Sequence, residues 1–209
     1  MKIGVLGTGK VAHAIASHWV RSGHDVLFGN REATAPVLDF PDGARFGAFG
    51  EAAAHGEVVL LAIPAGAMPA TIAALAETLA GKVLLDCSNG LSPVDHHQNL
   101  PEISGAEEIA ERAPTARVVK IFNTTGFENL AEPDFDGITA TMFYATDDAP
   151  ARAIAHDLAA ECGFDPIYAG PLTVARDLEW LTRFWGKLAF GQKLGRRIAF
   201  KLLVKGAGQ

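Results

Sequence analysis

The run Lys2-Ile-Gly-Val-Leu-Gly-Thr-Gly-Lys-Val-Ala12 constrains the fold of this chain more than any other stretch. Gly7, Gly9 and Ala12 stand at G-x-G-x-x-A spacing, directly after a compact apolar run and at the head of a helical pattern. Such a triplet is weak alone, but between a strand and a helix it has the context a dinucleotide-binding turn requires. Gly7 permits the tight turn, Gly9 lets backbone approach a pyrophosphate, and the small Ala12 lets helix and strand pack closely. The helix start then offers free N–H groups and partial positive charge to an anion.

The rest of the chain alternates in the same manner. Strands are expected at residues 2–6, 25–28, 58–63, 82–86, 118–122, 141–145 and 166–168. Helices are expected at 11–22, 67–79 and 149–162, the last stopping at Gly163. Strands apolar on both faces and separated by helices indicate a Rossmann-type doubly wound α/β fold with a mostly parallel, two-side-covered sheet. Residues 1–170 are expected to form this domain, and 171–209 a short C-terminal helical segment packing on it or on a partner subunit. Leu178, Leu181, Phe184, Trp185 and Leu188 recur at helix spacing as an apolar stripe there. Residues 92–105, with Pro93, His96, His97 and Pro101, read as the most irregular loop.

The end of the second strand selects between dinucleotides. An NAD site places an acid there for the ribose hydroxyls. This chain reads Phe28-Gly-Asn-Arg-Glu32, and Asn30 and Arg31 can both donate to a 2′-phosphate, so NADP(H) is the expected cofactor. Glu32, past the turn, is expected at the surface. Later strands end in Ile63-Pro64, which can lie against a nicotinamide ring, in Ser88-Asn89-Gly90, and in Asn123-Thr124-Thr125-Gly126. If these ends converge on one crevice, Ile63, Pro64, Ser88, Asn89 and Asn123 join the cofactor site.

Composition narrows the function further. A net charge of −6 and a pI near 5.6 argue against nucleic-acid binding. The apolar run at 58–63 is too short to span a bilayer, so no membrane association is expected. With the first strand at Lys2 no leader is expected, and Cys87 and Cys162 read as buried free thiols, so a cytoplasmic setting is the expectation. No metal site is expected: His13 and His18 do not share a helix face, and His96 and His97, beside Asp95, have no ligand spacing. Trp19 reads as a core residue, and Cys87-Ser88 lacks the glycines of a nucleophile elbow.

Through the Gly7–Ala12 loop, Gly29-Asn-Arg-Glu32, Val59-Leu-Leu-Ala-Ile-Pro64, Val118-Val-Lys-Ile-Phe-Asn123 and Gly163-Phe-Asp-Pro-Ile-Tyr-Ala-Gly-Pro-Leu172, the chain resembles the coenzyme F-420-dependent NADP oxidoreductase family. The resemblance implies hydride transfer between NADP(H) and a deazaflavin. It implies Thr8, Gly9, Lys10 and Val11 as phosphate contacts, Asn30 and Arg31 as 2′-phosphate contacts, and Ile63 and Pro64 beside the nicotinamide. Hydroxyacid dehydrogenases and imine reductases share the N-terminal pattern but continue into a long helical domain, for which residues 169–209 are too few. No catalytic acid is assigned, since transfer between stacked rings needs orientation and water exclusion more than proton transfer.

Three functions follow: an oxidoreductase acting on F-420 or a flavin, a reductase of a small carbonyl or imine completed by a second subunit, and a non-catalytic NADP(H) sensor. A small-molecule redox acceptor is the expected partner, and a homodimer a further expectation. The stretch from residue 187 carries Lys187, Lys193, Arg196, Arg197, Lys201 and Lys205 and no acid. It reads either as a solvated basic helix face or as a region in which Arg196 and Arg197 meet an anionic acceptor tail.

Overall fold

The computed structural model describes residues 1–31, 38–90 and 102–205. The irregular loop's prolines and histidines, Asp95 and Glu32 lie outside the described residues. Among the described residues, ten strands follow in chain order: β1 (Lys2–Leu6), β2 (Asp25–Asn30), β3 (Arg45–Ala48), β4 (Val58–Leu61), β5 (Val83–Asp86), β6 (Arg117–Lys120), β7 (Asp134–Phe135), β8 (Ile138–Thr139), β9 (Thr141–Ala145) and β10 (Asp165–Gly170). The α-helices are α1 (Lys10–Arg21), α2 (Phe49–His55), α3 (Met68–Leu79), α4 (Gly105–Arg112), α5 (Phe127–Ala131), α6 (Ala149–Glu161) and α7 (Ala175–Gly186).

Eight strands form one sheet in the order β3-β2-β1-β4-β5-β6-β9-β10. The first six are mutually parallel, with the strand order of a dinucleotide-binding sheet. β9 meets β6 antiparallel at Lys120 and Ala145, and β10 runs parallel to β9. β7 and β8 form a separate hairpin.

The alternation of side chains explains why β4 reads as an unbroken apolar run. Val58 and Leu60 join one core cluster with Trp19 of α1 and Leu158 of α6, while Val59 and Leu61 join another with Ile72 of α3 and Ile109 of α4. Trp19 is fully buried, and its indole N–H donates to the Leu158 carbonyl at 3.1 Å, tying α1 to α6. Local signals start the helices. Asp148 caps α6 by accepting from Ala151 N at 2.8 Å, and Ser104 and Glu107 form a reciprocal capping box on α4. Among the described residues no helix is long and apolar enough to cross a membrane, and no three His, Cys, Asp or Glu side chains gather as a metal group.

The C-terminal stretch differs from its helical expectation. α7 passes into a π-helical turn at Lys187–Gly191, and residues 192–204 are not helical. Lys193 and Gly195 both take positive φ, which ends the helix, while Leu194 N and Gly195 N satisfy the Leu188 and Ala189 carbonyls. Beyond this the chain lies against the domain: Thr141 N donates to the Phe200 carbonyl, and the Trp185 indole to that of Ile198. The expected apolar stripe also divides. Leu178 and Trp185 are buried, but Phe184 is 51% exposed, and the inward face of α7 includes Glu179, Thr182 and Arg183.

A candidate dinucleotide site at the carboxyl edge

The strand order reverses between β1 and β4, and there the loops leaving the two strands part to open a crevice. A cleft of about 390 Å³ lies at this point. Gly9, Lys10 and Val11 line it from the glycine loop, Ala62, Ile63, Pro64 and Ala65 from the end of β4, and Cys87, Ser88 and Asn89 from the end of β5. Three segments far apart in sequence therefore meet where the strand-end reading places them. A smaller cavity of about 40 Å³ adjoins through Ala65 and Ser88, room for water but not for a ring.

The two loop glycines do different work. Gly7 has φ +127°, its N–H donates to the Gly29 carbonyl at 2.8 Å, and a Cβ there would collide with the Ala62 carbonyl. Gly7 thus holds the turn against β4. At Gly9 a Cβ would meet no atom within 4 Å, so that position faces open space. Gly9 is also the N-cap of α1, whose first turn has no acidic residue and no side-chain cap. Its leading N–H groups and the positive end of the helix dipole are left to an external anion.

Thr8, between the glycines, is half-buried, and Lys10 is exposed. Asn30 closes β2 with Arg31, exposed, just beyond it, on the β1–β2 side of the cleft. Asn123 departs from the expected grouping. It is buried behind the cleft: its Nδ2 lies 3.0 Å from each of Asn89 Oδ1, Leu178 O and Thr182 Oγ1, and it does not line the cleft itself.

Behind the Ser88–Asn89 wall sits a charged cluster that the sequence reading did not single out. Lys120 is fully buried, and its ammonium donates to Asp86 Oδ2 at 2.9 Å, Glu179 Oε1 at 2.7 Å and the Ser88 carbonyl at 2.6 Å. All three N–H bonds of the ammonium are thereby used. Burial alone would lower the Lys120 pKa, but the Asp86 and Glu179 carboxylates outweigh it and raise the value above that of an ordinary lysine. Cys87, next in line, is held as a neutral thiol: burial, aided by Asp86, pushes it up to about 12. The signal available in the sequence was the alternation of β6, which leaves Lys120 as a charge inside an apolar run.

Three of the six basic residues of the C-terminal stretch pair with acids of the fold. Arg196 donates to Glu128 at 2.6 Å and lies over the rings of Phe127, Trp185 and Phe190, 5.0–5.8 Å from their centroids. Lys201 pairs with Asp165 at 2.6 Å and Arg197 with Glu132 at 3.5 Å. Lys187, Lys193 and Lys205 remain exposed, but past Gly191 the stretch is not a helix face. The geometry also leaves Arg196 committed to Glu128 rather than presented to an incoming anion.

Comparison with known proteins agrees with this geometry. The family model for coenzyme F-420-dependent NADP oxidoreductases matches residues 2–90. The F-420-dependent NADP reductase of Methanothermobacter marburgensis is 30% identical over 205 residues, covering 87% of this chain and 89% of that protein. The chain belongs to the coenzyme F-420-dependent NADP oxidoreductase family. A solved structure of a proposed F-420-dependent NADP reductase from Arthrobacter sp. FB24 superposes with a TM-score of 0.84 at 32% identity, over 98% of this chain and 100% of that one. This member of the family is also similar to metalloreductase STEAP3 of Rattus norvegicus, 32% identical over 85% of this chain and 36% of that protein. The chain thus spans about a third of the metalloreductases' length.

Proposed function

We propose that the protein is an NADP(H)-dependent oxidoreductase that passes hydride between the nicotinamide and F-420 or a flavin. Bound NADPH supplies the hydride. The α1 N-terminus and Gly9 take the pyrophosphate, with Gly7, Thr8, Lys10 and Val11 completing the loop, and Asn30 and Arg31 donate to the 2′-phosphate. Ile63 and Pro64 form the apolar side of the nicotinamide site, and Ser88 and Asn89 the polar side. Asn123 acts through Asn89 rather than on the cofactor directly.

The observation that carries the choice of acceptor is the chemistry of the cleft lining. Among the described residues, none that lines it is a carboxylate, histidine or tyrosine, its one cation, Lys10, sits on the glycine loop, and Cys87 is held far from thiolate formation. A small carbonyl or imine needs a proton donor beside the reacting carbon. Transfer between two stacked rings needs mainly orientation and exclusion of water, which an apolar Ile63–Pro64 wall provides. NADPH oxidation followed by absorbance against F-420, FMN, FAD, riboflavin and small imines tests the reading. Turnover with F-420 or a flavin is expected; turnover with imines alone would overturn it, and tight NADPH binding without any acceptor would favour the sensor. In parallel, calorimetry should show that Arg31→Ala weakens NADPH by about 1.5–3 kcal/mol while NADH is little changed. Equal losses would remove Arg31 from the 2′-phosphate.

The C-terminal part leaves Trp180, Phe184, Phe190 and Leu203 between 45% and 83% exposed. Large apolar side chains left exposed along one stretch of the chain favour a homodimer formed through it. Sedimentation should give a dimer that Phe184→Glu and Phe190→Glu together convert to monomer; a monomeric wild-type protein would exclude it.

A further inference from the structure

Beside the buried Leu178 and Trp185, α7 turns a polar seam toward the carboxyl edge of the sheet. Glu179 is 3% exposed, accepts from Lys120 at 2.7 Å and from Gly105 N at 3.1 Å. One turn on, Thr182 is 9% exposed; its hydroxyl donates to the Asn123 carbonyl at 2.9 Å and accepts from Asn123 Nδ2 at 3.0 Å. Both contacts lead to the same two residues of the cleft wall. Lys120 passes Glu179's hold to the Ser88 carbonyl. Asn123 passes Thr182's hold to Asn89, through Nδ2 to Asn89 Oδ1 at 3.0 Å, with Asn89 Nδ2 returning a bond to the Asn123 carbonyl at 3.3 Å. Asp86, whose Oδ1 accepts from Ser88 N at 2.9 Å, closes the circuit from below.

We infer that Glu179 and Thr182 are positioning residues for the nicotinamide: through Lys120 and Asn123 they fix the Ser88–Asn89 wall from a helix outside the glycine-loop half of the domain. Buried polar networks specify a single arrangement at the cost of being sensitive to loss of any member. Here the arrangement specified is that of two consecutive residues at the cleft. A seam of leucines in the same place would dock α7 equally well but would leave the Ser88 carbonyl and the Asn89 amide to find their own positions. The inference rests on the nicotinamide lying against Ser88 and Asn89.

The test compares NADPH with 2′-phospho-ADP-ribose, which keeps the 2′-phosphate and pyrophosphate contacts but lacks the nicotinamide. Calorimetry on the full chain gives both affinities, and the fluorescence of bound NADPH reports the ring's surroundings. Glu179→Leu is expected to weaken NADPH about tenfold, and the isosteric Thr182→Val about threefold, with altered emission of bound NADPH. Affinity for 2′-phospho-ADP-ribose should stay within about twofold in both. Glu179→Gln, whose amide oxygen still accepts from Lys120, should restore the wild-type ratio. Variants that lose thermal stability but keep the wild-type affinity ratio and emission would overturn the inference and leave α7 a packing element. If Glu179→Leu does not fold, an unchanged ratio in Thr182→Val is sufficient to overturn it. Failure of the cofactor reading looks different: the wild-type protein itself would then bind the two ligands equally or neither, and the inference would fall with it.

Discussion

Replacing Gly9 by valine is expected to abolish NADPH binding, by at least about two orders of magnitude, and to leave the fold intact. The two halves of this expectation have separate physical grounds. Gly9 has φ −82° and ψ −177°, a conformation open to any residue, and an added Cβ meets nothing of the protein within 4 Å. The cost to folding is then that of a poorer N-cap, about 1 kcal/mol or less, or no more than about 4 °C in a chain of this size. The space a valine would fill is the space through which a pyrophosphate must reach the α1 N–H groups. Gly7→Ala provides the contrast. At φ +127° and against the Ala62 carbonyl, its Cβ has no room, so this variant should lose thermal stability whether or not ligand is present. Calorimetric titration with NADPH beside a melting curve separates the cases. Normal NADPH binding by Gly9→Val would require the nucleotide site to lie elsewhere.

What could be read from the sequence follows from how local each signal is. The β1–α1 unit and the paired-face burial of β4 are visible because a single run of residues carries the whole pattern: glycine spacing in one, continuous branched apolar residues in the other. β3 and α2 carry no such signal. Arg45–Ala48 has neither alternation nor length, and Phe49–His55 is two turns of mostly small residues, so both exist by packing on β2 and β1 rather than by their own preference. α4 could have been found, since Ser104 and Glu107 are a capping box read three residues apart. The helical reading of the C-terminal stretch failed for a similar reason. Its periodicity is real as far as Gly191, but Lys193 and Gly195 at positive φ turn the chain, and hydrogen bonds to Thr141 and Trp185 then hold it in a non-helical path. The cleft was legible as strand ends. The seam behind it was not, because Asp86, Lys120 and Glu179 come from three elements whose proximity only the topology establishes.

Lys120→Met is expected to be strongly destabilising. Methionine nearly matches the length of the lysine stem, so packing changes little and the lost charge dominates. Asp86, 0% exposed, and Glu179, 3% exposed, would face each other across the vacated position with no cation between them. Breaking a buried ion pair by removing one partner costs about 3–5 kcal/mol, most of it the penalty on the charge left behind. In a domain of this length that is a fall in melting temperature on the order of 10 °C. The sign with pH also follows. A lysine whose pKa is raised in the folded state contributes stability that is fully present below the unfolded value and is lost as pH rises through the folded one. The wild-type protein should therefore keep this contribution at neutral pH and surrender it only under strongly alkaline conditions. Adding Asp86→Asn and Glu179→Gln to Lys120→Met removes both orphaned charges, while the new amide oxygens still accept from Ser88 N and Gly105 N. More than half of the lost stability should return in this triple variant. A single variant as stable as wild type at pH 7, measured by denaturant unfolding, would mean that water reaches the cluster and that Lys120 does not hold the wall.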